Sequence, residues 1–321
     1  MAVEILSDMA ATMDSQNSLW ALNEKLAVYE ECLSIIESLG QWEVEQLLNQ
    51  VSEFTEPLKT MGLGAISMNN VELELEVWKV SLRFCMATGC ADSVRHGELL
   101  IRVGVALSKQ VEQDSALIMQ HYDKADAVFS QLGRQNTHWY AILVHNMGVV
   151  LGQQGDRERE LSNYEKAVAT YRGLKMTQTE TFTSILYELA ASRTDRGDKE
   201  GGREAFLEAE RVFVQSPKLQ SRMRSHYVGQ YGLSRRAAGD LAGAIHAFEI
   251  AVQVHEKAQT LRTEGGRAAK KNLKEAETIV ASLPKEDRRQ IARRIEVLRW
   301  PSEPQTDEEL EAGVYLQRAG R

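Results

Sequence analysis

One short pattern recurs at a fixed spacing of 42 residues through the middle of this chain. An aspartate is followed eight residues later by an aromatic residue and eleven residues later by an alanine, four times in succession. The members are Asp114, Asp156, Asp198 and Asp240, then Tyr122, Tyr164, Phe206 and Phe248, then Ala125, Ala167, Ala209 and Ala251. Such repetition is typical of stacked helical units, because each unit buries its apolar face against an equivalent neighbour. The pattern therefore predicts a helical repeat protein.

Two further columns predict how each unit folds. A glycine precedes the aspartate at Gly155, Gly197 and Gly239, and a small residue recurs earlier at Ala106, Gly148, Ala190 and Gly232. Glycine can adopt the left-handed conformation that ends one helix, and the aspartate can cap the next helix. A small residue lets two helices approach closely, opposite the recurrent aromatic residue. Each unit is therefore expected to contain a helix A, a tight turn and a helix B.

This arrangement resembles the tetratricopeptide repeat family, in which a small residue of helix A faces an aromatic and a small residue of helix B. The resemblance covers about residues 99–300 and is clearest in two units, at Met147, Gly148, Gly155, Asp156, Tyr164 and Ala167, and at Tyr231, Gly232, Gly239, Asp240, Ala244, Phe248 and Ala251. The family's usual period is about 34 residues, and longer units look like those of kinesin light chains and Rap-type peptide receptors. The resemblance implies an all-α fold, a right-handed superhelical solenoid of antiparallel helix pairs.

Three segments are expected along the chain. Residues 1–90 do not follow the period and predict an N-terminal helical bundle. Residues 91–300 predict a solenoid of about four regular repeats and a degenerate capping repeat. Residues 301–321 begin with Pro301 and Pro304, which should break the preceding helix, and predict a short C-terminal helix or tail.

Within the N-terminal segment, apolar residues three and four apart between Leu19 and Ile36 predict a helix. A second helix is expected to stop around residues 61–64, which include two glycines. The segment from Val71 to Val77 alternates as a strand would. We nevertheless expect a helix there, because glutamate and leucine are strong helix formers and no other segment offers a strand to pair with.

Composition limits the possible functions. The net charge of −8 argues against general attraction to nucleic acid. No segment approaches the roughly 20 apolar residues of a membrane-spanning helix, and no basic segment precedes an apolar run, so we expect a cytoplasmic protein without membrane insertion. Cys85 and Cys90 are five residues apart, which would put them on different sides of a helix, and we expect no metal site there. The sequence also lacks phosphate-binding, dinucleotide-binding, zinc-protease and nucleophile-elbow motifs, so we expect no enzyme activity and no cofactor.

One polar column is the candidate binding site. Its members are spaced by 42 residues, and each precedes an apolar residue of helix A: Asn146, Glu188, Gln230 and Asn272. The resemblance implies that helix A lines a concave groove, and that an asparagine at the position of Asn146 bonds the backbone of a bound peptide. Amides at regular spacing supply the donors and acceptors that an extended peptide needs. The residues expected to flank this column are His145, Tyr187, Asp195, His226, Arg236, Lys271 and Glu275.

Three functional hypotheses follow. The first is a non-enzymatic scaffold or adaptor that binds a peptide or helix of a partner protein in the groove. The second is a Rap-like signalling regulator, in which peptide binding repositions the N-terminal bundle. The third is a structural protein that assembles end to end as a homo-oligomer, since residues 1–80 carry three basic and fourteen acidic residues, whereas residues 262–299 carry eleven basic and six acidic residues.

Overall fold

The computed structural model describes residues 19–38, 55–215 and 223–299, and within these ranges every regular element is an α-helix. The all-α fold class predicted from the sequence is confirmed. The helices, in chain order, are α1 (Leu19–Ser38), α2 (Thr55–Ser67), α3 (Val71–Ala87), α4 (Val94–Ser108), α5 (Ser115–Gln131), α6 (His138–Gln153), α7 (Arg157–Gly173), α8 (Glu180–Asp195), α9 (Lys199–Gln215), α10 (Met223–Ala237), α11 (Leu241–Lys257), α12 (Glu264–Ser282) and α13 (Lys285–Arg299). The alternating segment at Val71 is helical, as expected.

The chain divides into two compact units, residues 1–154 and residues 155–321. The first unit contains α1 to α6 and the second contains α7 to α13. The boundary near residue 90 that the sequence predicts, between an N-terminal helical bundle and a repeat array, stays a prediction. The predicted helix or tail at residues 301–321 lies outside the described residues.

The helix pairs of the second unit are closed by short turns, as the glycine and aspartate columns predicted. Helix α8 packs against α9, and α10 packs against α11. Gly197 and Gly239 adopt left-handed backbone conformations with φ of 91° and 77°. The following aspartates cap the next helix: the carboxylate of Asp198 accepts a hydrogen bond from the Gly201 amide at 2.9 Å, and that of Asp240 accepts one from Gly243 at 3.0 Å.

A small residue of one helix lies against an aromatic ring of its partner, although not always the residue that the period selects. A methyl group on Gly232 would come within 2.5 Å of the Phe248 ring, as the column predicted. In the first unit, Gly104 lies against the ring of Tyr122, where a methyl group would come within 2.3 Å of a ring carbon, although the period selected Ala106. Helix α4 ends at Ser108 and a six-residue connection follows it, whereas the α8–α9 and α10–α11 turns have three residues each, so the register along helix A differs.

The predicted helix stop at residues 61–64 is wrong. Helix α2 continues through both glycines to Ser67. Gly62 lies against the indole of Trp78, where a methyl group would come within 2.3 Å of a ring carbon. The glycine therefore permits close packing of α2 on α3, and it does not end the helix.

The apolar core follows the helix pairs within each unit. In the first unit, α1, α2 and α3 enclose one cluster that includes Leu33, Met61 and Phe84. In the second unit, α11 packs against both α12 and α13. Phe248 and Ala276 are fully buried there, so the degenerate repeat at the C-terminal end forms a packed helix pair despite its irregular sequence.

Candidate interaction surface on the second unit

The first helices of successive pairs lie side by side in the second unit. Helix α8 packs against α10, and α10 packs against α12. Glu188, Gln230 and Asn272 are at equivalent positions of these three helices, one on each. Gln230 is exposed, and the other two are partly exposed. Three of the four members of the predicted polar column therefore occur on adjacent helices of one unit.

An open groove lies on α10 and α12. Its volume is about 660 Å³. The lining residues are Arg236 from α10 and Lys270, Lys271, Lys274, Glu275, Thr278 and Ile279 from α12. Arg236 and Lys271 were predicted as groove residues from the sequence, and the flanking Glu275 also lines it. The side chain of Ile279 is a large apolar group that is 41% exposed.

The charge of the groove is unbalanced. Four cationic residues line it with a single carboxylate. That carboxylate, from Glu275, lies 2.9 Å from the Arg236 guanidinium and 3.8 Å from the Lys271 ammonium. Lys270 and Lys274 are exposed, and no ion pair to either occurs within the part of the chain that the structure describes. The groove can therefore offer at least two ammonium groups to an anionic ligand.

The surface of α8 is acidic. Asp195, its last residue, is exposed, and Glu188 accepts a hydrogen bond from the Tyr164 hydroxyl.

Glu160 on α7 is buried and pairs with Arg157 at 2.9 Å. Burial raises the pKa of Glu160 above its usual value, and Arg157 partly opposes this effect.

Tyr187 was predicted to face the groove, and this prediction is wrong. Its side chain is only 1% exposed. The hydroxyl donates a hydrogen bond to the Glu210 carboxylate of α9, which also accepts hydrogen bonds from Arg224. Burial is the main cause that raises the pKa of Tyr187 well above its ordinary value. Successive residues of a helix point about 100° apart, so the neighbour of a groove residue commonly belongs to the core.

The remaining predicted site residues fall in different places. His226 is exposed on α10, with its ring 5.6 Å from that of Tyr227. His145 and Asn146 are partly exposed on α6, which belongs to the first unit. The side-chain amide of Asn146 donates a hydrogen bond to the Ile142 carbonyl of its own helix at 2.9 Å, which leaves its amide oxygen as an acceptor.

Proteins similar to this chain were found only among solved structures. No protein-family model matches the chain, and no curated protein matches it. A similar solved structure is the crystal structure of BtubC (BKLC) from P. vanneervenii, at 17% sequence identity, with 67% of this chain and 92% of that chain covered and a TM-score of 0.40.

The described residues contain neither a cluster of metal-ligating side chains nor a membrane-spanning helix. No group of three or more histidine, cysteine, aspartate or glutamate side chains there is arranged to hold a metal ion. No helix in the same ranges is both long and apolar enough to cross a membrane.

Sequence reasoning missed two features of the second unit. Lys270 and Lys274 line the groove but were not selected; their spacing of four residues, which places them on one helix face, was the available signal. Arg235 was also missed, although it is only 2% exposed and its guanidinium pairs with the Asp240 carboxylate and donates to the Lys199 carbonyl at 2.7 Å. A buried arginine with such partners ties α10 to the first residue of α9 and to the turn before α11.

Proposed function

We propose that this protein is a non-enzymatic scaffold of tetratricopeptide-like repeats that binds a peptide segment or a helix of a partner protein. The observation that carries the proposal is the groove on α10 and α12, with its four cationic residues and one carboxylate. The ligand segment is acidic. It lies across Gln230 and Asn272, with its carboxylates directed toward Lys270 and Lys274.

The chemistry of the groove supports a peptide ligand. Gln230 and Asn272 offer amide donors and acceptors on adjacent helices, which suits a polypeptide backbone. Ile279 supplies an exposed apolar contact beside the lysines. A ligand with carboxylates and one aliphatic side chain would therefore satisfy the charge and the apolar part of the same groove.

The lysines set how strong such binding can be. An exposed ion pair contributes about 0.2–1 kcal/mol, so several pairs and a buried apolar side chain are needed together. Glu275 already compensates charge on Arg236 and Lys271. Most of the electrostatic attraction for the ligand's carboxylates is therefore expected to come from Lys270 and Lys274.

A synthetic peptide of glutamates with one central leucine is the probe for a direct test. Its affinity for the full chain is measured by calorimetric titration. The Lys270→Ala, Lys274→Ala double variant is expected to bind at least about fivefold more weakly, at 1.4 kcal/mol per decade. A Lys257→Ala variant is the matched control, because Lys257 is an exposed lysine of α11 outside the groove lining. Equal loss in the control, or no loss in the double variant, would reject the groove as the binding site.

The partner itself can then be sought with a photo-crosslinking residue placed at Gln230. The control places the same residue at Glu256, which is exposed on α11. A protein that crosslinks at position 230 and not at position 256, and that the glutamate peptide displaces, supports the proposal. A protein captured equally at both positions contradicts it.

The Rap-like regulator stays a second candidate. Helices α1 to α3 enclose an apolar cluster of their own, as a separately acting bundle would. The described residues of this bundle offer no groove to which we assign a ligand, so the acidic-peptide scaffold is the function that we favour.

A further inference from the structure

Helix α3 ends in a turn that brings two cysteines together. Gly89 adopts a left-handed conformation with φ of 71°. The amide of Gly89 donates to the Met86 carbonyl at 3.1 Å, and the amide of Cys90 donates to the Cys85 carbonyl at 2.9 Å. These two hydrogen bonds define a Schellman motif, in which the first and last residues of the six are neighbours in space. The expectation that Cys85 and Cys90 lie on different sides of one helix is therefore wrong, because the helix ends between them.

The same turn places side chains in bonding contact elsewhere in this molecule. At the end of α10, Asp240 donates its amide to the Arg235 carbonyl at 2.9 Å, and the two side chains form a buried ion pair. At the end of α11, Thr260 donates its amide to the His255 carbonyl at 2.8 Å, and its hydroxyl lies 2.9 Å from Nδ1 of that histidine. In both cases, residues five apart join through their side chains.

Cys85 and Cys90 occupy the equivalent two positions of the turn at the end of α3. The Cys85 thiol lies 3.4 Å from the Cys90 carbonyl oxygen. The Thr88 hydroxyl lies 3.7 Å from the Cys90 sulfur and 3.3 Å from the Cys85 carbonyl oxygen. A disulfide spans Cα atoms about 4.4–6.8 Å apart, and a turn closed by this hydrogen bond holds its end residues at such a separation.

The two thiols differ in their access to solvent. Cys90 is exposed, whereas Cys85 is 5% exposed and belongs to the apolar cluster between α3 and α4. The third cysteine, Cys32, is fully buried in the separate cluster of α1 to α3. A reagent from solvent therefore reaches Cys90 first, and the Cys85 thiol lies 3.4 Å from the carbonyl oxygen of the same residue.

We propose that Cys85 and Cys90 are a redox modification site that forms a reversible disulfide across the end of α3. The oxidant is a low-molecular-weight disulfide such as oxidised glutathione. The Cys90 thiolate attacks one sulfur of that disulfide, forms a mixed disulfide and releases one glutathione thiolate. The Cys85 sulfur then attacks the Cys90 sulfur and displaces the second glutathione. Two protein thiols are oxidised to one disulfide, the oxidant is reduced to two thiols, and the two protons pass to these products.

The disulfide would fix the connection between α3 and α4. The Ser93 hydroxyl donates to the Cys90 carbonyl at 2.6 Å, and Ser93 also caps α4 by accepting from the His96 amide at 3.2 Å. A covalent bond from Cys85 to Cys90 therefore joins the end of one helix to the residues that begin the next.

Tryptic digestion of the full chain provides the test, because one peptide, residues 84–95, contains both cysteines. After treatment with oxidised glutathione and alkylation without reduction, we expect this peptide to be two hydrogens lighter and unalkylated, with both properties reversed by dithiothreitol. In Cys85→Ser, glutathione is expected to stay on Cys90. On the native chain, the amount of glutathione bound to Cys90 should be at least about tenfold lower than in this variant. The reason is that the Cys85 thiol of the same chain displaces glutathione in an intramolecular reaction.

Cys90→Ser serves as the second control and is expected to fold, because the Cys90 side chain is exposed. No adduct should form on its Cys85. A native chain that keeps glutathione on Cys90 with Cys85 still open to alkylation would overturn the proposal. Disulfide-linked dimers in place of the lighter peptide would do the same.

Discussion

Gly232 of α10 lies directly against the ring of Phe248 of α11, and a methyl group on this glycine would stand 2.5 Å from the nearest ring carbon. Phe248 is fully buried and cannot move aside without displacing its neighbours. The spacing between these two helices therefore depends on the absence of one side chain. Gly229, three residues earlier on the same helix, has no atom within 4 Å of the corresponding position.

This contrast predicts opposite effects for two identical substitutions. Gly232→Ala is expected to lower the free energy of unfolding by about 1–3 kcal/mol, because the added methyl group overpacks the helix contact. Gly229→Ala is expected to raise it by about 0.5–1 kcal/mol, since alanine favours a helix more than glycine does. Phe248→Ala should cost about 3–5 kcal/mol through the cavity it leaves. Denaturant unfolding monitored by circular dichroism measures all three, and equal effects at the two glycines would contradict the packing described.

Asp240 and Asp114 occupy the same column of the repeat but differ in their surroundings. Both cap a helix, whereas only Asp240 pairs with a buried arginine, Arg235. Asp114→Ala is expected to cost about 0.5–2 kcal/mol, the usual value for a lost helix cap. Asp240→Ala should cost about 3–5 kcal/mol, because it leaves a buried guanidinium unpaired. Thermal or denaturant unfolding of the two variants would show equal losses if the buried pair contributed nothing.

These two aspartates also show what the sequence could and could not predict. The column of glycine and aspartate predicted the turn and the cap, because both depend on local backbone conformation. It did not predict the pairing of Arg235 with Asp240, which depends on how a left-handed residue redirects the chain over the end of the helix. The contact of Cys85 with Cys90 was missed for the same reason.

The candidate site was partly predicted. Periodicity selected equivalent positions on α8, α10 and α12, and two of the residues selected as flanking them, Arg236 and Lys271, line the groove. It could not tell exposed from buried residues one position apart, and Tyr187 was selected with Glu188 although it lies in the core. Lys274, which also lines the groove, was not selected. Its role in the groove depends on the neighbouring helix, which the sequence of one helix does not report.

Glu160 predicts a specific dependence of stability on pH. Burial raises the pKa of its carboxyl in the folded chain, despite Arg157 at 2.9 Å. A raised folded pKa means that protonation favours the fold, so this group's contribution is complete below its unfolded pKa of about 4.3 and is lost as pH rises through the folded pKa. Glu160→Gln lacks this titration. Its stability relative to the native chain should therefore increase between about pH 4 and pH 8.

Urea unfolding of both proteins at the two pH values checks this prediction. Glu158→Gln provides the matched control, because Glu158 is an exposed carboxylate of the same helix turn. The free energy of unfolding of Glu160→Gln is compared with that of the native chain. A gain that is independent of pH, or that shrinks as pH rises, would contradict the assigned effect of burial.

The charge asymmetry of the sequence predicts how any self-association responds to salt. Residues 1–80 carry fourteen acidic against three basic residues, and residues 262–299 carry eleven basic against six acidic residues. Attraction between exposed charges is screened beyond about 8 Å at physiological ionic strength. An end-to-end oligomer should therefore dissociate as salt is added. Light scattering at low and high salt measures the mass, and an oligomer that is insensitive to salt would require an apolar interface instead.

The polar column makes the last prediction, which separates binding from folding. Gln230 is exposed on α10, the helix that contributes Arg236 to the groove lining. If its amide bonds a ligand backbone, removal of the amide leaves that backbone group unpaired, at a cost of about 1–3 kcal/mol. Gln230→Ala and Asn272→Ala are therefore each expected to weaken binding of the glutamate–leucine peptide by roughly five- to a hundredfold. Their unfolding free energies should change by less than about 0.5 kcal/mol if both side chains act at the surface.

Tyr187→Phe is the complementary control for this column. The substitution removes the buried hydroxyl that donates to Glu210, so it should lower the free energy of unfolding by about 1–3 kcal/mol. It should leave the affinity for the peptide unchanged, because Tyr187 does not reach the groove surface. Calorimetric titration and denaturant unfolding of the three variants give both quantities. Full affinity in a Gln230→Ala, Asn272→Ala double variant would mean that the peptide binds through the lysines alone or on a different face of the protein.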